Sequence, residues 1–321
     1  MRFNLAAATA LLTLCAPLAA HAQDYPSRSI RMLVSIAPGG APDIVARLLA
    51  DKLGPALGQA VVVENRTGAN GNIAADVVAK ATPDGHTLLL GQDSIFVINP
   101  YLYKSAALNA RRELMPVAAV ASNTFVLAAN PALPVKSFTE FIEHARRTNP
   151  PLRYASAGNG SAHHLAMEIL KQRAGIELTH VPYRSGAPAT LAILAGEVDV
   201  MFAGTSNAQQ IKAGKLRALA VTGATRSEQY SGLPAIAESY PGFEVTIWLG
   251  VFAPAATPPA VLARLRQEIS KALALPEVKE RLQAAGGLRP MVLSPAEFSA
   301  LIERDGEKYQ GIVRQQGIAL D

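Results

Sequence analysis

Hydrophobic positions along the chain change repeatedly between two spacings, and this alternation predicts the order of strands and helices. Residues 30–36 (IRMLVSI) form a nearly continuous apolar run, which is typical of a strand buried on both faces. Apolar residues between 44 and 53 then recur at helical spacing, and Gly54-Pro55 is expected to weaken or end that helix. A second strand, a Gly/Asn-rich loop at 65–72 and a short helix follow. This order favours an α/β fold with a mainly parallel sheet.

The middle and the end of the chain repeat the same pattern. Ser137, with Glu140 three residues later, predicts the capping-box start of a helix. Further strands are predicted at 117–120, 125–128, 154–156, 180–182, 198–202 and 216–221, and residues 246–254 form another apolar segment. Helices are predicted at 137–147, 161–171, 187–195, 209–213, 259–273, 276–284 and 295–315. The sequence contains no internal repeat of 20–50 residues.

Residues 1–22 read as a signal peptide. Arg2 precedes an apolar stretch at 5–20, and Ala20-His21-Ala22 fits the small-x-small cleavage pattern, so we expect cleavage after Ala22. The alternative is an N-terminal membrane anchor, but the stretch is short for a spanning helix and contains Pro17.

Cys15 raises a second alternative, a lipoprotein site. The bulky Leu14 precedes it where a small residue is wanted, so we favour an exported, periplasmic protein.

Composition narrows the classes of function. A chain of 321 residues is too long for one ordinary hydrophobic core. Hydrophobic residues make up 50% of the chain and charged residues only 17%, which excludes a disordered chain. The only Cys falls in the leader, so neither a disulfide framework nor a Cys-based zinc site is expected. Aromatic residues make up 6% of the chain, which is few for a protein that stacks aromatic rings on sugars or on single-stranded nucleic acid. The net charge of +5 has no clustered Lys/Arg run behind it, which favours mild steering of anions over nucleic-acid or membrane binding.

Two glycine-rich loops are the candidate chemistry. The segment Ala37–Asp43 joins a buried strand to a helix, and Gly158–Ser161 repeats this arrangement in the second half of the chain. Glycines let the backbone approach a ligand, and a helix N-terminus presents unpaired N–H groups that bind carboxylate or phosphate. Either loop alone is compatible with a simple tight connection. Two of them are better evidence, because ligands prefer strand C-terminal ends and domain interfaces.

Enzyme and metal motifs are weak by comparison. His163 stands where a dinucleotide-binding GxGxxG needs Gly, and no GxxxxGK[ST] or GxSxG occurs. His164 and Glu168 lie four apart on one helix but lack a third ligand, so we predict no metal and no cofactor. A hydrolase or isomerase using His163 or His180 with Asp43 lacks an activated nucleophile, and we predict no enzyme.

A family resemblance is carried by YPSRSIRMLVSIAPGGAPDIVARLLADKLG, YASAGNGSAHHLAMEIL, HVPYRSGAPA, IKAGKLRALAVT and WLGVFAPAATPP, which follow in order over nearly the whole mature chain. The chain resembles the extracytoplasmic solute-binding proteins of the tripartite tricarboxylate transporter system, the Bug (TctC-like) family. The resemblance implies a type II periplasmic-binding-protein fold, with one lobe from 23–123 plus 247–321, a second from 124–246, and a hinge. It also implies a monomer that delivers a small organic anion to small and large permease subunits. A ligand-loaded co-receptor for a sensor kinase is the alternative role.

The resemblance further implies that backbone amides of the two loops hold the carboxylate. From the sequence position alone, Asp43 either stabilises the helix N-terminus or also touches the ligand, and Tyr183, just after a strand end, either lines the cleft or lies outside it. The predicted site comprises Ala37, Pro38, Gly39, Gly40, Ala41, Asp43 and Ser94 in the first lobe and Ala157, Gly158, Asn159, Gly160, Ser161, His163, Tyr183, Gly204 and Thr205 in the second.

Two departures from the family pattern bear on the ligand. Pro42 has no N–H to donate at a position where the family usually has a small or hydroxylated residue. Asp93 adds an acid beside the cleft, which would favour a ligand with an amino group or repel a second carboxylate.

Overall fold

The computed structural model describes residues 25–103, 109–204, 207–285 and 287–316. The predicted leader, 1–22, and Thr205 lie outside the described residues. The strands are β1 (Ile30–Val34), β2 (Val61–Asn65), β3 (Thr87–Gln92), β4 (Leu114–Thr124), β5 (Val126–Ala129), β6 (Leu152–Ser156), β7 (Leu178–Pro182), β8 (Val200–Ala203), β9 (Arg217–Val221), β10 (Thr246–Pro254) and β11 (Arg289–Pro290).

The helices account for most of the remaining described chain, and no described helix is both long and apolar enough to cross a bilayer. They are α1 (Ala41–Leu57), α2 (Asn72–Ala79), α3 (Ser94–Val97), α4 (Asn99–Leu102), α5 (Ala110–Glu113), α6 (Phe138–Arg147), α7 (Ala162–Ala174), α8 (Gly186–Ala195), α9 (Ala208–Lys212), α10 (Ile236–Ser239), α11 (Pro259–Ala274), α12 (Pro276–Ala284) and α13 (Pro295–Gln316).

The first sheet takes its strands from both ends of the chain, in the order β11-β4-β10-β3-β1-β2. Strands β1, β2 and β3 are parallel, whereas β10 is antiparallel to β3 and β4. Apolar side chains of α1 and α11 cover one face, and those of α2, α3 and α13 cover the other. This explains why β1 is apolar on both faces. We call this sheet and its helices lobe 1.

The second sheet is built from the middle of the chain, in the order β7-β6-β8-β5-β9. Strands β6, β7 and β8 are parallel, and β5 runs antiparallel to its neighbours β8 and β9. We call this sheet and its helices lobe 2. The chain crosses from lobe 1 to lobe 2 between β4 and β5 and returns between β9 and β10. The predicted α/β, two-lobed fold with two crossovers is confirmed.

Two elements extend beyond the sequence prediction. Helix α1 continues past Gly54-Pro55 to Leu57 and ends at Gly58, which adopts the left-handed conformation with φ 71°. Pro55 has no N–H to donate, so the last turn lacks one backbone hydrogen bond, and burial of Leu57 holds that turn against the core. Strand β4 spans 11 residues because antiparallel pairing with the long β10 continues to its end.

The aromatic residue Trp248 lies where β10 enters lobe 1. Its side chain is buried, its ring packs edge-on against Phe298, and its indole N–H donates to Asp305 Oδ2 at 2.9 Å. It therefore fixes α13 against β10 beside the crossover and is a core residue.

Candidate functional site

The first loop connects β1 to α1 and needs its two glycines for different reasons. Gly39 has a φ of 85°, which side-chain-bearing residues rarely adopt. Gly40 is the N-cap of α1 in an extended conformation, and a Cβ placed there would collide with the Ile36 side chain. The loop backbone therefore requires glycine at position 39, whereas a side chain at position 40 would have to displace the end of the Ile36 side chain.

Asp43 holds this loop in place from inside. Its buried carboxylate accepts hydrogen bonds from the Gly39 N–H at 3.0 Å, from Arg47 Nη2 at 2.9 Å and from Asn65 Nδ2 at 2.9 Å. Asn65 also donates to the Ile36 carbonyl at 2.9 Å. Burial alone raises the pKa of Asp43, but hydrogen bonds from Arg47, Gly39 and Asn65 outweigh it and hold the pKa below its usual value. We call Asp43 and its three partners, the Gly39 N–H, Arg47 and Asn65, the Asp43 network.

The second loop connects β6 to α7 and is held by neutral groups. Ser161, the N-cap, accepts a hydrogen bond from the His164 N–H at 3.3 Å and donates to the Gly158 carbonyl at 2.7 Å. The Gly160 N–H donates to His164 Nδ1 at 3.2 Å. Gly158 and Gly160 have φ values of 118° and 74°, so this loop also requires glycine.

A stack of rings supports the second loop from below. Strand pairing places His180 beside Tyr154, and the His180 ring lies between the Tyr154 ring, at 4.8 Å, and the His164 ring, at 4.1 Å. His180 Nε2 lies 2.7 Å from the hydroxyl of Ser156, which also contacts Gly158. Burial lowers the pKa of His180 to about 3 and also lowers that of His164, so both rings are neutral at pH 7.

His164 and Glu168, the pair that weakly suggested a metal site, are both engaged in hydrogen bonds within the protein. Glu168 accepts a hydrogen bond from the Tyr154 hydroxyl at 2.6 Å and pairs with Lys171, while His164 accepts from Gly160. Across the described ranges no group of three or more His, Cys, Asp or Glu side chains has the arrangement of a metal site.

Several backbone N–H groups at the two helix starts remain unused by the protein. In the described part of the chain, the N–H groups of Gly40, Ala41 and Asp43 at α1 and of Ala162 and His163 at α7 have no hydrogen-bond partner. Pro42 contributes none, as the sequence indicated. The remaining groups make two separate donor sets, each at the positive end of a helix dipole.

Asn70 brings the two donor sets to one cleft. A Cβ placed on Gly71 would lie 3.0 Å from Ser35 Cβ, so the turn at Ala69–Gly71 lies beside the end of β1. From this turn Asn70 Nδ2 reaches across to the Gly160 carbonyl of lobe 2, at 3.1 Å. The α1 and α7 loops therefore face the same space between the lobes.

His163 forms part of the lobe 2 wall. Its ring lies 4.3 Å from the ring of Phe125, and a Cβ on Gly204 would lie 3.7 Å from its Nε2 atom. Burial lowers the pKa of His163 to about 4. His163 therefore contributes a neutral aromatic ring to this wall and carries no positive charge at pH 7. Gly204 is held in turn by Asn207, whose Oδ1 accepts the Gly204 N–H at 3.1 Å.

Three polar side chains that were expected at the cleft, those of Asp43, Ser94 and Asp93, make other contacts instead. The Asp43 carboxylate is fully engaged within the Asp43 network, so it positions the loop and is not a contact for an anion. Ser94 is completely buried, and its hydroxyl accepts from Gln92 Nε2 at 2.8 Å. Asp93, expected beside the cleft, instead lies buried near Asp305 of α13, because its main chain is hydrogen-bonded to Trp248 of β10. Burial, with a smaller contribution from Asp305, raises the pKa of Asp93 to about 7.

Tyr183 also differs from expectation. Its ring packs against the α8 side of lobe 2, and its hydroxyl lies 3.4 Å from Glu197 Oε2. Its main chain supports the second loop instead, since the Tyr183 N–H donates to the Ser156 carbonyl at 3.1 Å.

Sequence reasoning missed the amides that build the cleft: Asn65, Asn70, Gln92 and Asn207. The available signal was the Gly/Asn-rich segment at 65–72, which was interpreted only as a loop. Contacts between residues far apart in sequence carry no local pattern, so their partners could not be identified from the sequence.

A cavity between the lobes lies away from these loops. Its volume is about 400 Å³, and Gln209 and Lys212 of α9, Gln229, and Gln283 of α12 line it. It contains neither of the two helix starts.

Comparison with known proteins identifies the family of this chain. The model of the tripartite tricarboxylate transporter family receptor matches residues 45–318. A structure of R. palustris Rpa4515 with adipate is 32% identical with a TM-score of 0.87, covering 92% of this chain and 99% of that one. MatC from Rhodopseudomonas palustris with bound malate is 30% identical with a TM-score of 0.81, covering 90% and 100%. The periplasmic binding protein BugD is 34% identical with a TM-score of 0.84, covering 92% and 99%. With its two lobes and paired helix starts, the chain belongs to the tripartite tricarboxylate transporter receptor family of periplasmic solute-binding proteins.

Proposed function

We propose that the protein captures a small aliphatic dicarboxylate in the cleft and presents it to the permease subunits of a tripartite tricarboxylate-type transporter. One observation carries the proposal. Two helix starts, one in each lobe, have five N–H groups without a partner among the described residues, and the Asn70–Gly160 hydrogen bond brings their loops to the same cleft. Each helix start is suited to one carboxylate group. Family members are solute receptors and not enzymes, so the hydrolase alternative is set aside.

The charge of the cleft supports recognition by backbone groups. Neither Ala37–Gly40 nor Ala157–Ser161 contains a Lys or Arg. Arg47, the nearest cation on α1, is paired with Asp43 at 2.9 Å. An anion here is therefore stabilised by N–H groups and helix dipoles, and selectivity depends on the spacing of two donor sets more than on net charge.

The walls support an aliphatic ligand. His163 presents a neutral ring that is backed by the buried Phe125, and the Asp93 carboxylate is buried near α13, so Asp93 does not disfavour a second acid on the ligand. The related structures contain adipate and malate, both dicarboxylates.

The proposed contacts are mainly backbone groups. They come from Ala37–Ala41 and the N–H of Asp43 in lobe 1, and from Ala157–His163, Gly204 and Thr205 in lobe 2. The sheet topology supports lobe boundaries at 23–123 plus 247–321 for lobe 1 and 124–246 for lobe 2. We further propose a monomer that is exported to the periplasm and cleaved after Ala22.

Calorimetric titration with adipate and malate tests the proposal, with adipamide as an uncharged ligand of the same length. We expect saturable binding of at least one diacid and none of the diamide. Binding of neither diacid, nor of other di- or tricarboxylates, would overturn the proposed ligand class.

A matched pair of glycine variants tests the position of the site. Gly40→Val places a side chain against Ile36 at the start of α1 and should weaken binding at least tenfold with little change in melting temperature. Gly54→Val adds the same side chain later in α1, where a Cβ approaches no atom closer than 3.7 Å, and should leave affinity unchanged. Equal affinities would place the ligand elsewhere.

A further inference from the structure

Asn70 makes a hydrogen bond between the lobes beside the proposed site. Its Nδ2 atom donates to the Gly160 carbonyl of lobe 2 at 3.1 Å. The same Gly160 residue donates its N–H to His164, so its backbone is held from both lobes. Residue 160 immediately precedes the N-cap of α7, and any change in its orientation moves the start of that helix.

Hydrogen bonds within lobe 1 hold the Asn70 side chain in the orientation from which it contacts lobe 2. Asn70 Nδ2 also donates to Asn99 Oδ1 at 2.8 Å, and Asn70 Oδ1 accepts from Gln92 Nε2 at 3.1 Å. Gln92 is fixed in turn by Ser94, and Asn99 Nδ2 donates to the Asn70 carbonyl at 3.1 Å. Because three lobe 1 side chains define its position, the Asn70 amide loses little conformational entropy when it contacts lobe 2.

The backbone at Asn70 is adapted to this role. Its φ of 48° and ψ of 36° are left-handed, a conformation that asparagine tolerates better than most residues. This conformation points the side chain out of the turn and toward lobe 2. Both Nδ2 hydrogens and Oδ1 are already engaged with protein groups, so the side chain has no remaining donor for a ligand.

We propose that Asn70 is a closure latch: it stabilises the closed cleft by bonding the Gly160 carbonyl, and it makes no direct ligand contact. Closure around a carboxylate rests on the proposed function, but the latch itself acts on the lobes with or without ligand. Release of a bound diacid then requires this hydrogen bond to break. Asn70 therefore affects the dissociation rate more than the association rate.

Two substitutions remove the latch in different ways. Asn70→Gly deletes the side chain while keeping a residue suited to positive φ, and Asn70→Asp keeps the size and the backbone preference but removes the N–H donor. Ala69→Gly is the matched control, because Ala69 is an exposed neighbour in the same turn with φ 44° and it gains the same backbone freedom.

Inter-lobe distance is the primary measurement. The mature sequence contains no Cys, so Val62→Cys on β2 and Thr179→Cys on β7 provide two unique, exposed spin-label sites. Both strands are edge strands distant from the crossover strands, so a hinge rotation changes the label separation. The distances are measured in the purified protein and after addition of adipate or malate.

We expect Asn70→Gly and Asn70→Asp to shift the distance distribution toward longer separations, and Ala69→Gly to match the parent. For a diacid that binds, dissociation should accelerate about three- to tenfold, as expected for one neutral hydrogen bond. Unchanged distance distributions in both Asn70 variants would overturn the latch. If no diacid binds the parent, the proposed function fails, whereas the distances without ligand still decide the role of Asn70.

Discussion

The two helix starts share one backbone design but are supported by opposite chemistry. In lobe 1 the loop is held by a charged group, the Asp43 carboxylate, which is paired with Arg47 and bonded to Gly39. In lobe 2 the equivalent loop is held by hydroxyl groups and neutral imidazoles, with Ser161 and His164 in direct contact with it. The two donor sets are therefore alike, but the first loop needs an ionised Asp43 and the second loop needs a neutral His164.

This difference gives the two loops different responses to acid. The pKa of Asp43 is held below its usual value, so its ionised form and the lobe 1 loop persist well below pH 7. The lobe 2 loop requires His164 and His180 to stay neutral, since a protonated His164 Nδ1 cannot accept the Gly160 N–H. Lobe 2 should therefore be the acid-sensitive side of the cleft.

The largest effect is expected from Asp43→Ala. Loss of the buried carboxylate leaves the Gly39 N–H without its acceptor and removes one acceptor from Asn65 and the ion pair from Arg47, so the free energy of unfolding should fall by about 2 kcal/mol. Diacid affinity should also fall at least tenfold, because the first donor set loses its fixed orientation. Denaturant unfolding and calorimetry measure the two quantities.

Asp76→Ala is the matched control for this variant. Asp76 also pairs with a cation four residues later, Lys80 at 2.7 Å, but that pair is exposed and distant from the loop. We expect a stability change within about 0.5 kcal/mol and no change in affinity. If Asp43→Ala behaved like this control, the Asp43 network would not hold the loop.

A moderate effect is expected from His180→Gln, seen only in acid. Folded His180 has its pKa lowered to about 3, below the usual value of about 6.5 in an unfolded chain, so unfolding takes up a proton between these values. Its contribution to stability is complete above pH 6.5 and decreases as the pH falls toward 3. Between pH 7.5 and 4.5, the melting temperature of the variant should fall about 3 °C less than that of the parent. Equal decreases would show that this ring is not the acid-sensitive group.

The smallest effect concerns ligand affinity between pH 8 and 6. Because burial lowers the pKa of His163 to about 4, this ring stays neutral throughout the range. Calorimetry should show a diacid affinity that changes less than about twofold, since no cleft histidine gains charge. A severalfold increase toward pH 6 would mean that a protonated histidine contacts the ligand.

The sequence predicted the two strand–loop–helix connections, because they have local patterns. A strand followed by Gly39-Gly40 and a helix, or by Gly158–Ser161 and a helix, is recognisable because glycine and N-cap residues have fixed positions relative to the helix start. The lobes follow from the alternation of strands and helices together with the family resemblance. For the same local reason Pro55 was misleading, because burial of Leu57 outweighed its effect on the helix.

The sequence did not predict contacts set by packing between distant segments. Asn70 meets Gly160, 90 positions away, only when the two lobes come together. Asp93 lies next to predicted cleft residues in sequence, yet its bond to Trp248 directs it toward α13. In both cases a neighbouring sheet strand or lobe decides the direction of a polar side chain, and neither neighbour is visible in the local pattern.

The central claim is that backbone N–H groups from both helix starts hold one diacid. A titration of ¹⁵N-labelled protein with adipate, followed by amide NMR shifts, tests it most directly. The account predicts that the signals of Gly40, Ala41, Ala162 and His163 shift together and saturate at the same concentration. Shifts confined to the cavity lined by Gln209, Lys212 and Gln283, with these four amides unchanged, would contradict it.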